Sequence, residues 1–322
     1  MRVMRVEAFG GPEALRLAEA AEPVPQAGEI VVRVEAAGVN FIDVYHRSGL
    51  YPNPLPFVPG LEGAGVVTAR ASDVSLFREG DRVAWSSVLG SYAESARLPA
   101  QKAVAVPAGT GARTAAALML QGMTAQYLSA STFPLASGHA CLVHAAAGGV
   151  GLLLVQMAKA RGARVIGTVS TEAKAALARE AGADEVILYT QQDFLAEVKR
   201  LTGGRGVDVV YDGVGKDTAM KSLDCLAPRG MMVFYGNASG PAPAIDPLLL
   251  SQKGSLFMTR PSLFHHVADR PSLEARAGEV LQAAAEGRLR VRIERAFTLA
   301  EAADAHRALE SRKTTGKLLL VP

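Results

Sequence analysis

The sequence predicts an α/β protein in which an irregular, strand-rich β-barrel is interrupted by a doubly wound parallel sheet. Three observations carry that expectation. Roughly the first 120 residues are short strands broken by Gly and Pro. From near Thr114 strands alternate with helices, which implies crossover connections and a parallel sheet. A late strand-like run at residues 316–321 (GKLLLV) is set to return to the first part.

In the first part, residues 29–34 (EIVVRV) alternate polar and apolar, as a half-buried strand should. Residues 60–67 (GLEGAGVV) are dense in glycine, the mark of bulges or close backbone packing. A turn at Glu79-Gly80-Asp81 leads into a strand at residues 82–85. In the second part, residues 141–145 form a strand and 149–161 an apolar-faced helix. Strand 164–169 is followed by helix 171–181, closed by Gly182. Strand 185–189 precedes helix 193–201, which Gly203-Gly204 stops. Strand 207–211 leads into a helix over 216–226, and further strands follow at 231–235 and 255–259. Beyond about residue 265 the pattern is helical until the closing strand.

Half of the 322 residues are hydrophobic and a fifth charged (49% and 20%), enough for two ordinary domains with a large core. The net charge is only +3 and the basic residues are spread out, so neither nucleic acid nor a polybasic membrane surface is indicated as a partner. No apolar run approaches the roughly 20 residues of a membrane span. The N-terminus lacks the apolar core of a secretory signal, and a cytoplasmic enzyme is expected. The two cysteines, Cys141 in a strand and Cys225 on a helix, read as small buried hydrophobes; they lack the paired spacing of a zinc site. The six histidines show no metal-like spacing. His144 reads as a structural hydrogen-bonding group and His265-His266 as part of a solvent-facing linker.

The strongest local signal is residues 144–151 (HAAAGGVG), which follow an apolar strand and open a helix. In a dinucleotide loop Gly148 lets the backbone approach a pyrophosphate, Gly151 lets the helix pack on the sheet, and the helix N-terminus supplies N–H groups to phosphate. Ala146 replaces the usual first glycine. The plainer reading is a strand-to-helix turn without a ligand, against which the surrounding alternation of strands and helices argues. The second strand and the residues after it run Ile166-Gly167-Thr168-Val169-Ser170-Thr171, without the acid that holds an NAD ribose. Lys174 follows within a turn, and Tyr189 ends the third strand. A hydroxyl and an ammonium suit a 2′-phosphate that a carboxylate would repel, so NADPH is the expected cofactor. Taken alone, Lys174 is also an ordinary exposed helix lysine.

With these features in view, the chain resembles the zeta-crystallin-like quinone oxidoreductases of the medium-chain dehydrogenase/reductase superfamily. The matching stretches are residues 38–45 (GVNFIDVY), 47–52 (RSGLYP), 144–151, 210–212 (VYD), 222–226 (SLDCL), 252–256 (QKGSL), 259–262 (TRPS) and 309–312 (LESR). They run through nearly the whole chain. The glycine loop marks only the superfamily; the segments around Asn40 and Arg260 are more specific.

The resemblance implies a GroES-like β-barrel catalytic domain, residues 1–121 and 267–322, into which a Rossmann NADPH-binding domain, residues 122–266, is inserted. It implies a cofactor site lined by Phe41, Ile42, Asp43, Val44 and Tyr45, by Tyr127, and by Gly149 and Val150 of the loop. Ser170, Thr171, Lys174, Tyr189 and Val214 join them, as do Ala238, Ser239, Gly240 and Pro241, then Pro261, Ser262 and Leu263, and finally Arg312. Arg312 comes from the catalytic domain, so the cofactor is expected to be clamped between domains. Zinc-dependent alcohol dehydrogenases of the superfamily carry a zinc-binding Cys where this chain has Asn40 and a zinc-binding His where it has Leu61. Glu62 survives, and one carboxylate is not a zinc site. No metal is therefore expected, and oxidation of simple alcohols is disfavoured.

Asn40, Asp43, Tyr45 and Tyr51 are the candidate catalytic residues. If the segment is extended, Asp43 and Tyr45 share a face; if it is helical, Asn40 joins Asp43 instead. Tyr45 is placed to donate a hydrogen bond to a carbonyl oxygen, and Tyr51 to line the pocket mouth. The plainer readings are a turn cap for Asp43 and surface packing for Tyr51. Reduction of a small quinone by NADPH is the expected reaction. The alternatives are reduction of an alkenal or enone, another conjugated carbonyl, and an NADPH-binding structural or RNA-associated protein with little turnover. The strand at 255–259 is apolar and carries no lysine, proline or inward charge to guard an edge, which points to a homodimer through the Rossmann sheet edge.

Overall fold

The computed structural model describes every residue from Met1 to Pro322. The chain packs into two compact units: Met1–Met123 with His266–Pro322, and Thr124–His265. No helix is long and apolar enough to cross a membrane.

The first unit opens with strands β1 (Arg2–Val6) and β2 (Leu15–Glu19), an antiparallel pair. Strands β3 (Glu29–Val39), β4 (Glu62–Arg70), β5 (Arg82–Ser86), β6 (Ser95–Pro99) and β7 (Ala103–Ala105) follow. β3 pairs antiparallel with β4, β4 with β5 and β5 with β7. The glycine-dense start of β4 lies against β3 at a register shift between Val34 and Ala36. A Cβ on Gly65 would stand 1.9 Å from the Arg33 carbonyl oxygen, so this close approach requires glycine.

The second unit holds strands β8 (Ala140–Val143), β9 (Arg164–Val169), β10 (Glu185–Leu188), β11 (Val207–Asp212), β12 (Leu226–Phe234) and β13 (Phe257–Thr259). They form one six-stranded sheet in the order β10-β9-β8-β11-β12-β13. Every pairing is parallel. Helices Gly149–Ala160, Glu172–Glu180, Phe194–Leu201, Ala219–Asp224 and Pro247–Gln252 lie in the connections. The chain therefore starts at the centre, winds outward through β9 and β10, and returns beside β8. The crevice between β8 and β11 is the switch point at which doubly wound sheets bind their ligands.

Three expectations shift at this level. The helix expected over 216–226 is only Ala219–Asp224, because the buried Asp212 carboxylate holds the residues before it as a loop. It accepts from the Val214 and Gly215 N–H groups (2.7 and 3.0 Å) and from the Thr218 hydroxyl (2.7 Å). The last strand of the sheet begins at Phe257, since Ser255 takes a left-handed φ of 56°. His265 and His266 end a short helix, Leu263–His266, rather than lying in a linker. Both cysteines are buried, and burial pushes each thiol up to about 12, as suits small apolar residues.

After the insertion the first unit closes with helix Arg270–Ala285, strand β14 (Ile293–Thr298), helix Ala302–Glu310 and strand β15 (Lys317–Val321). The late return strand pairs with the end of β3 (Val39↔Leu318, Ala37↔Leu320), while β6 pairs with its start (Glu29↔Pro99, Arg33↔Ser95). β14 lies parallel on the far side of β15. Trp85, Tyr92, Leu98, Ile30, Phe297 and Leu320 belong to the core of this unit.

Candidate functional site

In the second unit the cofactor candidates stand at the carboxyl ends of the parallel strands. The loop after β8 behaves as its glycines require. Gly148 is the N-cap of helix Gly149–Ala160 and no side chain caps it. The first-turn N–H groups of a helix have no partner inside it, which leaves a cradle suited to phosphate. A Cβ on Gly151 would stand 2.3 Å from the Ala145 carbonyl oxygen, and Ala145 itself takes a left-handed φ of 50°. Ala146 is tolerated in place of the usual first glycine because Gly167, on the next strand, makes room. A Cβ there would lie 2.8 Å from the Ala146 methyl.

At the next corner Thr171 caps helix Glu172–Glu180, its hydroxyl accepting from the Lys174 N–H at 3.3 Å. The Tyr189 N–H donates to the Val169 carbonyl (3.1 Å), and the Thr190 hydroxyl donates to the Ser170 carbonyl (3.0 Å). Ser170, Thr171 and Tyr189 are thereby drawn to one end of β9 and β10. The nearest acid, Glu172, is exposed and bonded to Arg179 at 2.5 Å. The loops after β11 and β12 are zipped together. The Val214 carbonyl accepts from both the N–H and the hydroxyl of Ser239 (2.8 and 2.9 Å), and the Gly240 carbonyl accepts from the Lys216 N–H (3.0 Å). Ala238 joins through its N–H to the Gly213 carbonyl (3.1 Å), and Pro241 follows directly. Residues 261–263 follow β13, which runs parallel to β12. Tyr127 is buried at the end of helix Ala112–Tyr127. His144 is structural: its ring nitrogens meet the Thr168 and Ser222 hydroxyls, each at 2.9 Å, and burial holds it neutral.

In the first unit, helix Phe41–Ser48 settles the geometry of the candidate segment. Asn40 is its N-cap, and Asp43 reaches back to accept from the Asn40 N–H at 2.8 Å, half of a capping box. The helical alternative holds, and Asn40 and Asp43 are neighbours. The Asn40 amide is spent on protein. Its oxygen accepts from Lys317 Nζ (2.7 Å) and Gln121 Nε2 (3.2 Å). Its nitrogen donates to Glu62 Oε1 (2.7 Å) and the Gly38 carbonyl (3.4 Å). Both amide hydrogens are directed at protein acceptors, the contact to the Gly38 carbonyl being the longer. Lys317 also pairs with Glu62, both fully buried, and the second Glu62 oxygen accepts the Leu120 N–H at 2.6 Å. A metal does not fit here. Leu61 brings no donor atom, and the oxygens of Asn40 and Glu62 already face an ammonium. No cluster of three or more His, Cys, Asp or Glu side chains elsewhere is placed to hold one.

Asp43 belongs to a second buried network. Its Oδ2 also accepts from the Tyr92 hydroxyl at 3.0 Å, whose oxygen lies 3.1 Å from His306 Nε2. His306 Nδ1 lies 3.1 Å from Arg47 Nη1. Arginine can only donate, so Nδ1 accepts and Nε2 carries the ring hydrogen. Burial and the Arg47 charge hold His306 neutral, its pKa lowered to about 3. Asp43 Oδ1 has no partner, and burial pushes this carboxyl up to about 7 despite its hydrogen bonds and the nearby Lys317. Tyr45 is mostly buried, with the Tyr51 ring edge-on at 5.2 Å and Phe41 at 6.3 Å. Tyr51 is more open and supports the Tyr45 ring.

Lys317, Gln121, Tyr92, His306 and Arg47 escape a reading of the sequence. One signal was present: a lysine opening an otherwise apolar strand, Lys317-Leu318-Leu319-Leu320-Val321, has to be paired once buried.

The model of the alcohol dehydrogenase GroES-like domain matches residues 26–135, and that of the zinc-binding dehydrogenases matches residues 149–270. The chain is 50% identical over 319 residues to a quinone oxidoreductase of Pseudomonas aeruginosa, with 98% of each chain covered. It is 44% identical over 322 residues to a 2-haloacrylate reductase of a Burkholderia species, covering 97% of this chain and 96% of the relative. The crystal structure of Escherichia coli quinone oxidoreductase complexed with NADPH matches with a TM-score of 0.98 at 43% identity, covering all of both chains.

Proposed function

The chain belongs to the zeta-crystallin-like quinone oxidoreductases of the medium-chain dehydrogenase/reductase superfamily, and from that membership we propose that it reduces small quinones with NADPH and without a metal. The likeness to a quinone oxidoreductase at 50% identity over 98% of both chains carries the reading. The Asn40–Lys317–Glu62 knot supports metal independence, since an ammonium sits against the oxygens a metal would need.

NADPH, when bound, supplies a hydride, which with one proton from solvent converts a quinone to its hydroquinone and leaves NADP+. A quinone needs little activation, so the protein mainly positions the reactants and excludes water. In the second unit the loop at residues 148–151 receives the diphosphate. Ser170, Thr171, Lys174 and Tyr189 receive the 2′-phosphate, where an acid would repel it. In the first unit Tyr45 offers its hydroxyl to a carbonyl oxygen of the acceptor, with Tyr51 holding its ring. Asn40 and Asp43 position the segment from below.

The 2-haloacrylate reductase relative gives substance to a second reading, reduction of a conjugated alkene. Catalytic efficiency with a series of naphthoquinones, compared with 2-haloacrylates under the same NADPH supply, separates the two. Quinones should lead; higher efficiency with 2-haloacrylates would overturn the assignment.

The reading extends to a homodimer. β13 is the edge strand of its sheet, and Phe257 and Met258 are 54% and 42% exposed. Ala242, Pro243 and Ile245 of the preceding loop lie beside Met258 and leave Phe257 about half exposed. An apolar, unguarded edge favours pairing with a second copy.

A further inference from the structure

Four charged side chains are buried in the first unit: Asp43, Arg47, Glu62 and Lys317. Lys317 answers Glu62, and both terminal nitrogens of Arg47 grip Glu310, at 3.0 and 2.8 Å. Asp43 is the odd charge. Lys317 on β15 attracts it only through space, and Glu62 on β4 repels it. Its hydrogen bonds run in one direction. Arg47 Nη1 donates to His306 Nδ1 (3.1 Å), so His306 Nε2 donates to the Tyr92 oxygen (3.1 Å) and the Tyr92 hydroxyl donates to Asp43 Oδ2 (3.0 Å). The Asn40 N–H reaches the same oxygen at 2.8 Å. A proton taken up by Asp43 is left with Oδ1, which is buried and meets no partner. Each state of the carboxyl therefore lacks something in this core: the anion lacks a cation, and the neutral acid lacks an acceptor.

We propose that Asp43, Tyr92, His306 and Arg47 form a pH-sensitive latch on helix Phe41–Ser48, which Arg47 keeps fastened by directing every hydrogen toward Asp43 and which ionisation of Asp43 loosens. Asp43 and Arg47 stand one turn apart on that helix and share a face. Tyr92, just before β6, and His306, of helix Ala302–Glu310, close the ring between them. Opening the first turns of the helix admits water, from which a carboxylate gains far more than a neutral acid. Burial outweighs the hydrogen bonds and holds this carboxyl at about 7, above the unfolded 3.8. Opening therefore releases a proton and becomes easier as pH rises from about 4 to about 7, then no further. Among the neighbouring groups, burial holds His306 and His46 neutral and keeps Tyr92 a phenol. Glu62 and Lys317 are closed on each other, as are Arg47 and Glu310. Tyr45 lies on the same helix, and the latch stands whether or not that residue faces an acceptor.

The test is amide hydrogen exchange across residues 40–48, read by mass spectrometry on the full-length chain from about pH 5 to about 8.5 and divided by the intrinsic rates. Wild type is compared with Asp43→Asn, Tyr92→Phe and Arg47→Met. The single tryptophan, Trp85, is fully buried in the core of this unit, and its emission verifies at each pH that the unit is folded. In wild type, opening of the segment should increase on the order of tenfold from about pH 6 to about pH 8 and level off there. Asp43→Asn should show no such increase. Tyr92→Phe removes one hydrogen bond to the anion, so the increase should level off about one pH unit higher. Arg47→Met frees the His306 ring to carry its hydrogen on either nitrogen and should move the profile the same way. Nitrogen chemical shifts of wild-type His306 should report the Nε2–H form. A flat wild type, an increase that survives Asp43→Asn, a Tyr92→Phe profile that levels at the wild-type pH, or a His306 hydrogen on Nδ1 overturns the latch. So does a folded Arg47→Met that matches wild type. If Arg47→Met does not fold, the Tyr92→Phe profile and the His306 shifts decide.

Discussion

A buried ammonium is tolerated only when paired, and Lys317 is held by Glu62 and Asn40 with no solvent contact. Lys317→Met should therefore destabilise the protein by about 3–5 kcal/mol, because Glu62 is left buried and unpaired. Adding Glu62→Gln should recover most of that loss, read as denaturant midpoints; no recovery would mean the pair is not what holds this corner. Asp43 makes a second prediction. Its folded pKa, about 7, lies above the unfolded value of 3.8, so the folded state binds more protons between the two. Its contribution is present in full below about pH 4 and is lost as pH rises through about 7. The span corresponds to about 4 kcal/mol at most. Asp43→Asn keeps an acceptor for the Asn40 N–H and should flatten the fall in stability from pH 5 to 8. An unchanged slope would show that another group sets it. At this scale little was legible in the sequence. Tyr92 and His306 are 214 residues apart and Arg47 and Glu310 are 263 apart, so no periodicity or spacing joins them. Asn40 was singled out because of what it replaces, and its partners Lys317, Glu62 and Gln121 are visible only in three dimensions.

Elements were more legible, because hydrophobic period and turn residues act locally. Five of the six strands of the second unit lie within about two residues of where alternation and apolar runs put them, while β12 begins at Leu226, ahead of the expected start at Met231. The failures have local causes that side chains decide. Asp212 captures three donors and shortens the following helix, and Ser255 turns left-handed and trims β13. The dinucleotide loop was readable despite Ala146, since strand, glycines and helix all stood in order; the compensating Gly167 is visible only in three dimensions. β13 carries the prediction at this scale. A proline at Phe257 removes one backbone donor from the free edge. Wild type should be dimeric by solution mass at micromolar concentration, and Phe257→Pro should shift it toward monomer. A monomeric wild type would end the dimer, and a dimer indifferent to the proline would put the interface elsewhere.

At the scale of the whole molecule, an α/β chain with a parallel sheet inserted into a mostly antiparallel one follows from the change of pattern near Thr114 and the late strand β15, which returns to β3. What no local pattern conveys is the charge arrangement. Asn40, which the resemblance sets where zinc-dependent dehydrogenases carry a zinc-binding Cys, is closed on a lysine and a glutamate, Lys317 and Glu62. Hydride transfer to a quinone without a metal is the central claim. The most direct test is steady-state oxidation of NADPH by a naphthoquinone, using protein exhaustively dialysed against a strong chelator. Turnover should equal that of untreated protein and stay unchanged when zinc is added back. Turnover that disappears on dialysis and returns with stoichiometric zinc would contradict the account.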